Sequence, residues 1–594
     1  MRKTFANFAV KHIHYIKWGI AVLKNNNLQS IESQLNKVNN LRFWFYAIWF
    51  VLTFVQATFT ELIDDEAYYW VYANNLDWGH FHQPPMVALL IKIGYWLIPT
   101  GLGVRLLFIF LHLGTIWLIE QLTYPKNTPL FIALVTSVGL LHIGGFWAVP
   151  DICFVFFAAL FLYLTKQYLK KDSLKTALLI GTTIACMLYS KYHSVVVIFF
   201  AIVANWQLFK RWTFYVAGFT GLILFLPHLY WEFQNDFVTV TFHWSERNKI
   251  KWHIGLTLTY IASIFVILGP LISPILLKQS AIFKSKTDTQ LQFNKTLKTV
   301  AFGLLGFFFV MSLRGPVEAN WVIATLIPLI VLTHQALYEN EIAKKWLFRL
   351  LPFSLLIAIV VRSVIIFDII PNEKPFFMKF RDFHGVENWV QPLAKAIEEA
   401  GDYPPIFAGS YQVPSKYSFY TQKFSTGLAA STGPRTQFDL YHWEQEFIGD
   451  TVLYFSKYPL VPCTDSVETN LGRFYYRQVN NFICYATVKL ETEMTSFTFP
   501  PDTLVSIPIR FNIPENVSFD GDRNSKLSCQ IFENSKFISH QSDDITIMKI
   551  DKLKPYHFQF KTPKKKGDYK INISIESPNI FTVHNTPRLK MKIE

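Results

Sequence analysis

Apolar runs that start near residues 42, 103, 128, 150, 174, 193, 212, 254, 299, 319 and 347 are each long enough to cross the ~30 Å of hydrocarbon in a bilayer. In lipid, a segment of that kind has to satisfy its backbone internally, and a helix does so. The runs therefore predict a polytopic α-helical membrane protein with about eleven transmembrane helices. A shorter run at 86–98 reads as a crossing, a re-entrant piece or an interfacial helix. With 51% apolar, 17% aromatic and only 16% charged residues, the chain is too apolar for a soluble enzyme, and the aromatic excess suits membrane interfaces.

The formal net charge of +14 raises the question of nucleic acid. The basic residues, however, fall into alternate loops: Lys126; Lys166, Lys170, Lys171 and Lys175; Lys210 and Arg211; Lys278 to Lys298; Lys344, Lys345 and Arg349. Retention of Lys and Arg on the cytoplasmic side explains them, so no nucleic-acid partner is expected. With these loops inside, the N-terminus is cytoplasmic. The 61–77 segment, Asp151, Lys191, the 231–253 stretch, the Arg314–Trp321 turn and everything after about 371 then lie outside.

Residues 1–41 form a leader in which Phe8, Val10, Ile13, Ile16, Ile20 and Leu23 fall near helical spacing with Lys11, Lys17 and Lys24 between. That pattern reads as a helix on the cytoplasmic membrane face, with a disordered tail as the alternative. Residues 42–370 form the transmembrane domain. From 371 the composition turns soluble, and 371–490 reads as a mixed α/β domain outside the cytoplasm. Residues 491–594 alternate as short strands and suggest a β-sandwich accessory domain. Cys153 and Cys186 lie in apolar spans as small hydrophobes. Cys463, Cys484 and Cys529 lie in the outer part, where a Cys463–Cys484 disulfide is permitted.

The first outer loop carries Glu61, then Asp64-Asp65-Glu66-Ala67-Tyr68-Tyr69-Trp70, then Asp77-Trp78-Gly79-His80-Phe81-His82-Gln83-Pro84-Pro85. Carboxylates pressed against a bilayer are costly unless solvated or paired, so the cluster asks for a function. Asp64 is placed to cap the following helix, and Asp65 could do the same. Asp151, just after Pro150, suits either a first-turn charge at the helix dipole or a binding role. Lys191 stands on the cation-poor side of the membrane, which favours an anion partner over simple snorkelling. His80 and His82 at i, i+2 lack a third ligand nearby, so no metal is expected. Tyr68, Tyr69, Trp70 and Trp78 read as interfacial anchors, one of which could stack on a sugar.

The motifs Asp65-Glu66-Ala67-Tyr68-Tyr69-Trp70, Val149-Pro150-Asp151, Ser190-Lys191-Tyr192 and Val317-Glu318-Ala319-Asn320-Trp321, followed by Gly409-Ser410-Tyr411-Gln412-Val413-Pro414 and Pro434-Arg435-Thr436-Gln437-Phe438-Asp439-Leu440-Tyr441, resemble the protein O-mannosyltransferase and lipid A aminoarabinose transferase superfamily over roughly residues 42–485. That resemblance implies a C-type glycosyltransferase fold in the cell (inner) membrane. It implies transfer of a monosaccharide from a polyprenyl phosphate to an acceptor hydroxyl or phosphate on protein, lipid A or an envelope glycan, without a cofactor. Asp65 matches the first acid of the family motif and is implied as the general base or the residue orienting the acceptor. Glu66 and Asp151 join it as catalytic candidates. Lys191, His82, Arg105 and Arg247 are candidates for the donor phosphate, with His193 and His243 as weaker helpers. Tyr68, Tyr69, Glu318 and Asn320 are candidates for substrate contact. Relatives carry a histidine or lysine immediately before the proline pair; here Gln83 fills that slot and His82 stands one earlier. The resemblance does not reach the tail beyond 491.

A transporter or flippase of lipid-linked sugars would also use charge in the membrane, with broken helices or paired repeats near the midplane. A membrane-anchored binding protein would leave the acidic loop unexplained.

Overall fold

The structure is a computed structural model and describes residues 36–243, 252–284, 288–367, 369, 383–459, 465–520, 522–533 and 536–594. Arg247, Cys463 and all but the last residues of the leader lie outside these, and with them the phosphate role of Arg247, the Cys463–Cys484 bridge and the leader helix.

Each apolar run folds as helix. Among the described residues, seven helices are long and apolar enough to cross a membrane: Asn36–Phe59, Gly101–Leu122, Pro150–Lys170, Trp212–Gln234, Gln290–Ser312, Ala319–Glu339 and Glu341–Phe367. An eighth is gained if the pair Ile254–Leu268 and Ser273–Ile282, bent by 92°, counts as one span. Met86–Leu97, Thr128–Ser137, Leu174–Ser190 and Ser194–Ala204 are shorter apolar helices. Eleven was counted from apolar length alone; the shorter helices are where that count and the span count part. The bent pair is a broken helix that the sequence does not announce, and it turns at Gly269, whose φ of +97° most side chains avoid.

Local chemistry sets the ends. Pro150 opens its helix at a position whose N–H would be unpaired anyway. Asn127 caps Thr128–Ser137 by accepting the Leu130 N–H at 3.1 Å. Leu174–Ser190 and Trp212–Gln234 cross closely because a Cβ on Gly181 would sit 2.5 Å from the Ala217 carbonyl oxygen; small residues let backbones approach where no hydrophobic drive operates between helices.

Beyond the bundle, the strands β1 (Pro405–Ala408), β2 (Thr426–Leu428), β3 (Val452–Ser456), β4 (Asp465–Thr469) and β5 (Gly472–Val479) form one mixed sheet in the order β2-β1-β3-β5-β4. Helices Glu387–Glu399 and Gln412–Thr421 belong to the same α/β unit. The tail adds β6 (Lys489–Glu491), β7 (Ser496–Phe499), β8 (Leu504–Asn512), β9 (Lys526–Glu533), β10 (Lys536–Thr546), β11 (Tyr556–Lys561), β12 (Gly567–Glu576) and β13 (Leu589–Ile593). They make a five-stranded sheet, β10-β9-β12-β13-β7, facing a three-stranded one, β11-β8-β6, over a shared apolar core that includes Ile507, Ile531, Phe558 and Ile573. This is a sandwich.

The boundary at 490 cuts through β6, whose Leu490 pairs with Phe511 of β8. The tail is also less separate than its composition implies. Its 577–588 connection packs Val583 into the core under β1, β2 and β3. Ser431 and Thr582 share a 2.9 Å hydroxyl contact, and Arg477 donates to Asn579 at 3.2 Å.

Candidate active site

The acidic loop becomes the helix Asp64–Asn74, which lies at the end of the bundle that carries the α/β domain. Asp64 does not cap it. Glu66 does, by accepting the Ile63 N–H at 3.1 Å, while Asp64 pairs with Lys416 of the α/β domain at 3.0 Å.

Glu66 and Arg105 correct two expectations. Both are closed to solvent and form an ion pair, with Arg105 Nε 2.8 Å from Glu66 Oε1. The Ala148 N–H also donates to Oε1, at 2.8 Å. The remaining Arg105 N–H groups go to the carbonyls of Ala57, Thr60 and Glu61, to the Thr60 hydroxyl and to Glu66 Oε2. A guanidinium has five N–H donors, and these contacts use them. Arg105 therefore has none left for a phosphate, and Glu66 is a structural anion rather than a base. The pair ties the loop to the helices Asn36–Phe59 and Gly101–Leu122.

Three other candidates from distant parts of the chain meet. Lys191 Nζ lies 2.6 Å from Asp151 Oδ1, and Asn320 Nδ2 donates to Asp151 Oδ2 at 3.0 Å. Asp151 is in the first turn of Pro150–Lys170, Lys191 follows Leu174–Ser190, and Asn320 sits in the 3-10 turn Ala319–Thr325. Glu318, just before that turn, is at the surface.

Asp65 sits among these groups. Its Oδ1 accepts the Tyr411 hydroxyl at 2.7 Å. Burial pushes its carboxyl above the usual range; the Tyr411 hydrogen bond opposes this, and the charges of Asp64, Asp151 and Glu66 add to it. Of the four neighbouring carboxylates, Asp64 has Lys416, Glu66 has Arg105 and Asp151 has Lys191. Among the described residues, Asp65 has no cation.

Tyr69, nearly buried, lies within electrostatic reach of Asp65, Tyr411 and Asp151. Tyr68 does not present a face to a sugar: it is buried and stacked on Tyr411 with ring centres 4.0 Å apart. Its hydroxyl accepts the Gln437 N–H at 2.6 Å and meets His82 Nδ1 at 3.2 Å. His82 is thus held at the rim by Tyr68, and His243 reaches the His82 carbonyl at 3.1 Å. His193 packs on Trp321.

Sequence reasoning left the α/β domain apart from the site. Gln437, from the second of its motifs, accepts the Phe81 N–H at 2.6 Å, and Tyr411, from the first, reaches Asp65. Both motifs were visible, but the signal that would have placed them, a contact across more than 340 residues, exists only in the fold. A second group was missed: Tyr192 meets His228 at 2.8 Å and donates to Glu232 at 3.2 Å, while Trp231 donates to Asp77 at 2.8 Å and closes over Gly79, where a Cβ would strike the indole.

The bundle thus carries a carboxylate-rich mouth beneath the α/β domain. Residues 82–231 match the family described as dolichyl-phosphate-mannose-protein mannosyltransferase. The fold is shared with crystal structures of ArnT from Cupriavidus metallidurans. The apo form matches with a TM-score of 0.56 at 12% identity, covering 74% of this chain and 98% of that one. The form bound to undecaprenyl phosphate matches with a TM-score of 0.55 at 13% identity, covering 73% and 97%. Over 309 residues the chain is 23% identical to the lipid A galacturonosyltransferase RgtD of Rhizobium johnstonii (strain DSM 114642 / LMG 32736 / 3841), covering 47% of this chain and 61% of that protein. An uncharacterized protein of Aquifex aeolicus (strain VF5) is 32% identical over 114 residues, 18% of this chain and 23% of that one.

Proposed function

We propose that the protein is an inverting glycosyltransferase that moves a monosaccharide from a polyprenyl phosphate to a hydroxyl of a lipid A-like or other envelope glycolipid, glycan or protein acceptor. One observation carries the assignment of the base: of four clustered carboxylates, Asp65 is the one without a cation among the described residues. A carboxylate neutralised by an ion pair is a poor proton acceptor, whereas burial raises the basicity of Asp65. Asp65 takes the proton of the acceptor hydroxyl as its oxygen bonds to the anomeric carbon. The bond from that carbon to the phosphate oxygen breaks, and the electron pair leaves with the polyprenyl phosphate. One displacement inverts the anomeric centre.

Lys191 is the cation for the leaving phosphate. An ammonium has three N–H donors and the contact with Asp151 uses one, so two remain for phosphate oxygens without breaking the pair. The undecaprenyl phosphate bound to ArnT supports the donor class, and the similarity to the lipid A galacturonosyltransferase RgtD supports a lipid A-like acceptor.

The test is transfer of label from a radiolabelled polyprenyl-phosphate sugar by the purified protein to lipid A, protein and glycan acceptors offered in parallel. Label in one of them is the expected result; none in any acceptor overturns the reading. The bent pair Ile254–Leu268 and Ser273–Ile282 favours a second reading, a flippase, which the same protein in liposomes would reveal as movement of the labelled donor between leaflets without transfer.

A further inference from the structure

The chain leaves β1 through Gly409, whose φ of +120° lies where side chains strain the backbone, and reaches Tyr411 just before the helix Gln412–Thr421. From there the phenol points away from its own domain, onto Asp65. Its ring is fixed against Tyr68, and Tyr68 is fixed by Gln437. The helix that follows is pinned to the same loop at two more points, Lys416 on Asp64 and Tyr420 accepting the Leu62 N–H at 2.8 Å. Glu61 closes the other side by accepting the Val386 N–H at 2.9 Å. Few rotational choices remain for the Tyr411 hydroxyl.

We propose that Tyr411 is a positioning residue supplied by the α/β domain: by holding Asp65 Oδ1 it turns Oδ2 toward the acceptor hydroxyl and keeps the base ionised. This rests on the assignment of Asp65 as the base. The geometry supports it in two ways. Among the described residues, the Tyr411 contact is the one hydrogen bond on the Asp65 carboxylate, and it engages a single oxygen. The charged groups facing Asp65 are Asp64 and Glu66 from its own helix and Asp151 from Pro150–Lys170, all of which oppose its ionisation. The phenol from the α/β domain favours it by a direct hydrogen bond, while Lys191 and Lys416 are engaged by Asp151 and Asp64. Docking of the α/β domain thereby assembles the base, although the two residues are 346 positions apart.

The experiment compares full-length wild type, Tyr411→Phe and Tyr420→Phe. Phenylalanine keeps the stacking on Tyr68 and removes only the hydroxyl. In the pH dependence of transfer, Tyr411→Phe moves the acid limb up by about one to two pH units, the worth of a hydrogen bond to a charged group. Tyr420→Phe removes a hydroxyl from the same helix without touching Asp65 and leaves the limb in place. Superimposed profiles for wild type and Tyr411→Phe overturn the proposal, as does an equal shift in Tyr420→Phe, which would make domain docking and not the Tyr411 hydroxyl responsible.

A second readout needs no substrate: the infrared carbonyl band of protonated Asp65, isolated by subtracting the Asp65→Asn spectrum, titrates at higher pH in Tyr411→Phe. If wild type transfers no sugar, the assignment of function fails, and the infrared titration still decides whether Tyr411 sets the state of Asp65: an unmoved band overturns the proposal.

Discussion

Lys191 Nζ and Asp151 Oδ1 lie 2.6 Å apart with both side chains nearly closed to solvent, and Asn320 holds the second oxygen of the same carboxylate. Three motifs distant in sequence thus converge on one acid. A buried pair of this kind is expensive to break from one side, because the remaining charge is left without compensation.

Lys191→Ala should therefore lower thermal stability in detergent by the equivalent of about 3–5 kcal/mol and weaken donor binding. The double variant Asp151→Asn, Lys191→Met removes both charges and should recover most of the stability but not the donor affinity. Thermal melting together with binding of a purified polyprenyl-phosphate sugar separates the two effects. Full donor affinity in the double variant would remove Lys191 from the phosphate site.

Asp65→Asn should leave the melting temperature close to that of wild type and reduce transfer by about 10²–10⁴-fold, the usual worth of a general base. A quantitative transfer assay checks this. More than half the wild-type rate would rule Asp65 out as the base.

Arg105→Met should behave as a folding variant, not a donor-binding one. It strands Glu66 in a site closed to solvent, at a cost of about 3–5 kcal/mol. Paired replacement, Arg105→Met with Glu66→Gln, should be milder than the single change. Yield of monodisperse protein and its melting temperature are the measurements; a well-folded Arg105→Met with impaired donor affinity would contradict the geometry.

His584, in the connection that fastens the sandwich to the α/β domain, hydrogen-bonds the Gly433 carbonyl at 3.1 Å. Its pKa is pushed down to about 3, chiefly by burial and further by Arg435 and Arg588. The folded state therefore disfavours the proton that the unfolded chain accepts near pH 6.5. The stability linked to His584 is complete above that pH and is lost as pH falls from about 6.5 toward 3. Melting curves across that window should flatten in His584→Gln, which cannot take up the proton.

Single cysteines at Ser466 and Leu553, both exposed, report which side of the membrane holds the α/β and sandwich domains. In a background with Cys463 replaced by serine, both should react with a membrane-impermeant thiol reagent added to intact spheroplasts. Reaction only after the membrane is opened would reverse the orientation inferred from loop charge.

The sequence by itself determined the class of molecule. Apolar runs of spanning length force helices because backbone polar groups have no partner in lipid, and the alternation of basic with acidic loops sorted the motifs onto one side. It also determined which residue types were available for chemistry, since Asp65, Asp151, Lys191 and Asn320 all stand in recognisable short motifs and all meet at one end of the bundle. Tertiary structure decided what each of them does. Adjacent Asp64, Asp65 and Glu66 offer the same carboxylate chemistry, and what separates them in the fold is which cation arrives from elsewhere: Lys416 for the first, Arg105 for the third and, among the described residues, none for the second. Ion pairing and burial are set by through-space distances between segments tens to hundreds of residues apart, and no local spacing encodes them. For the same reason Arg105 read as a phosphate ligand and is a buried counter-ion of Glu66, while Tyr411 and Gln437 read as parts of a separate domain and contact Asp65 and Phe81.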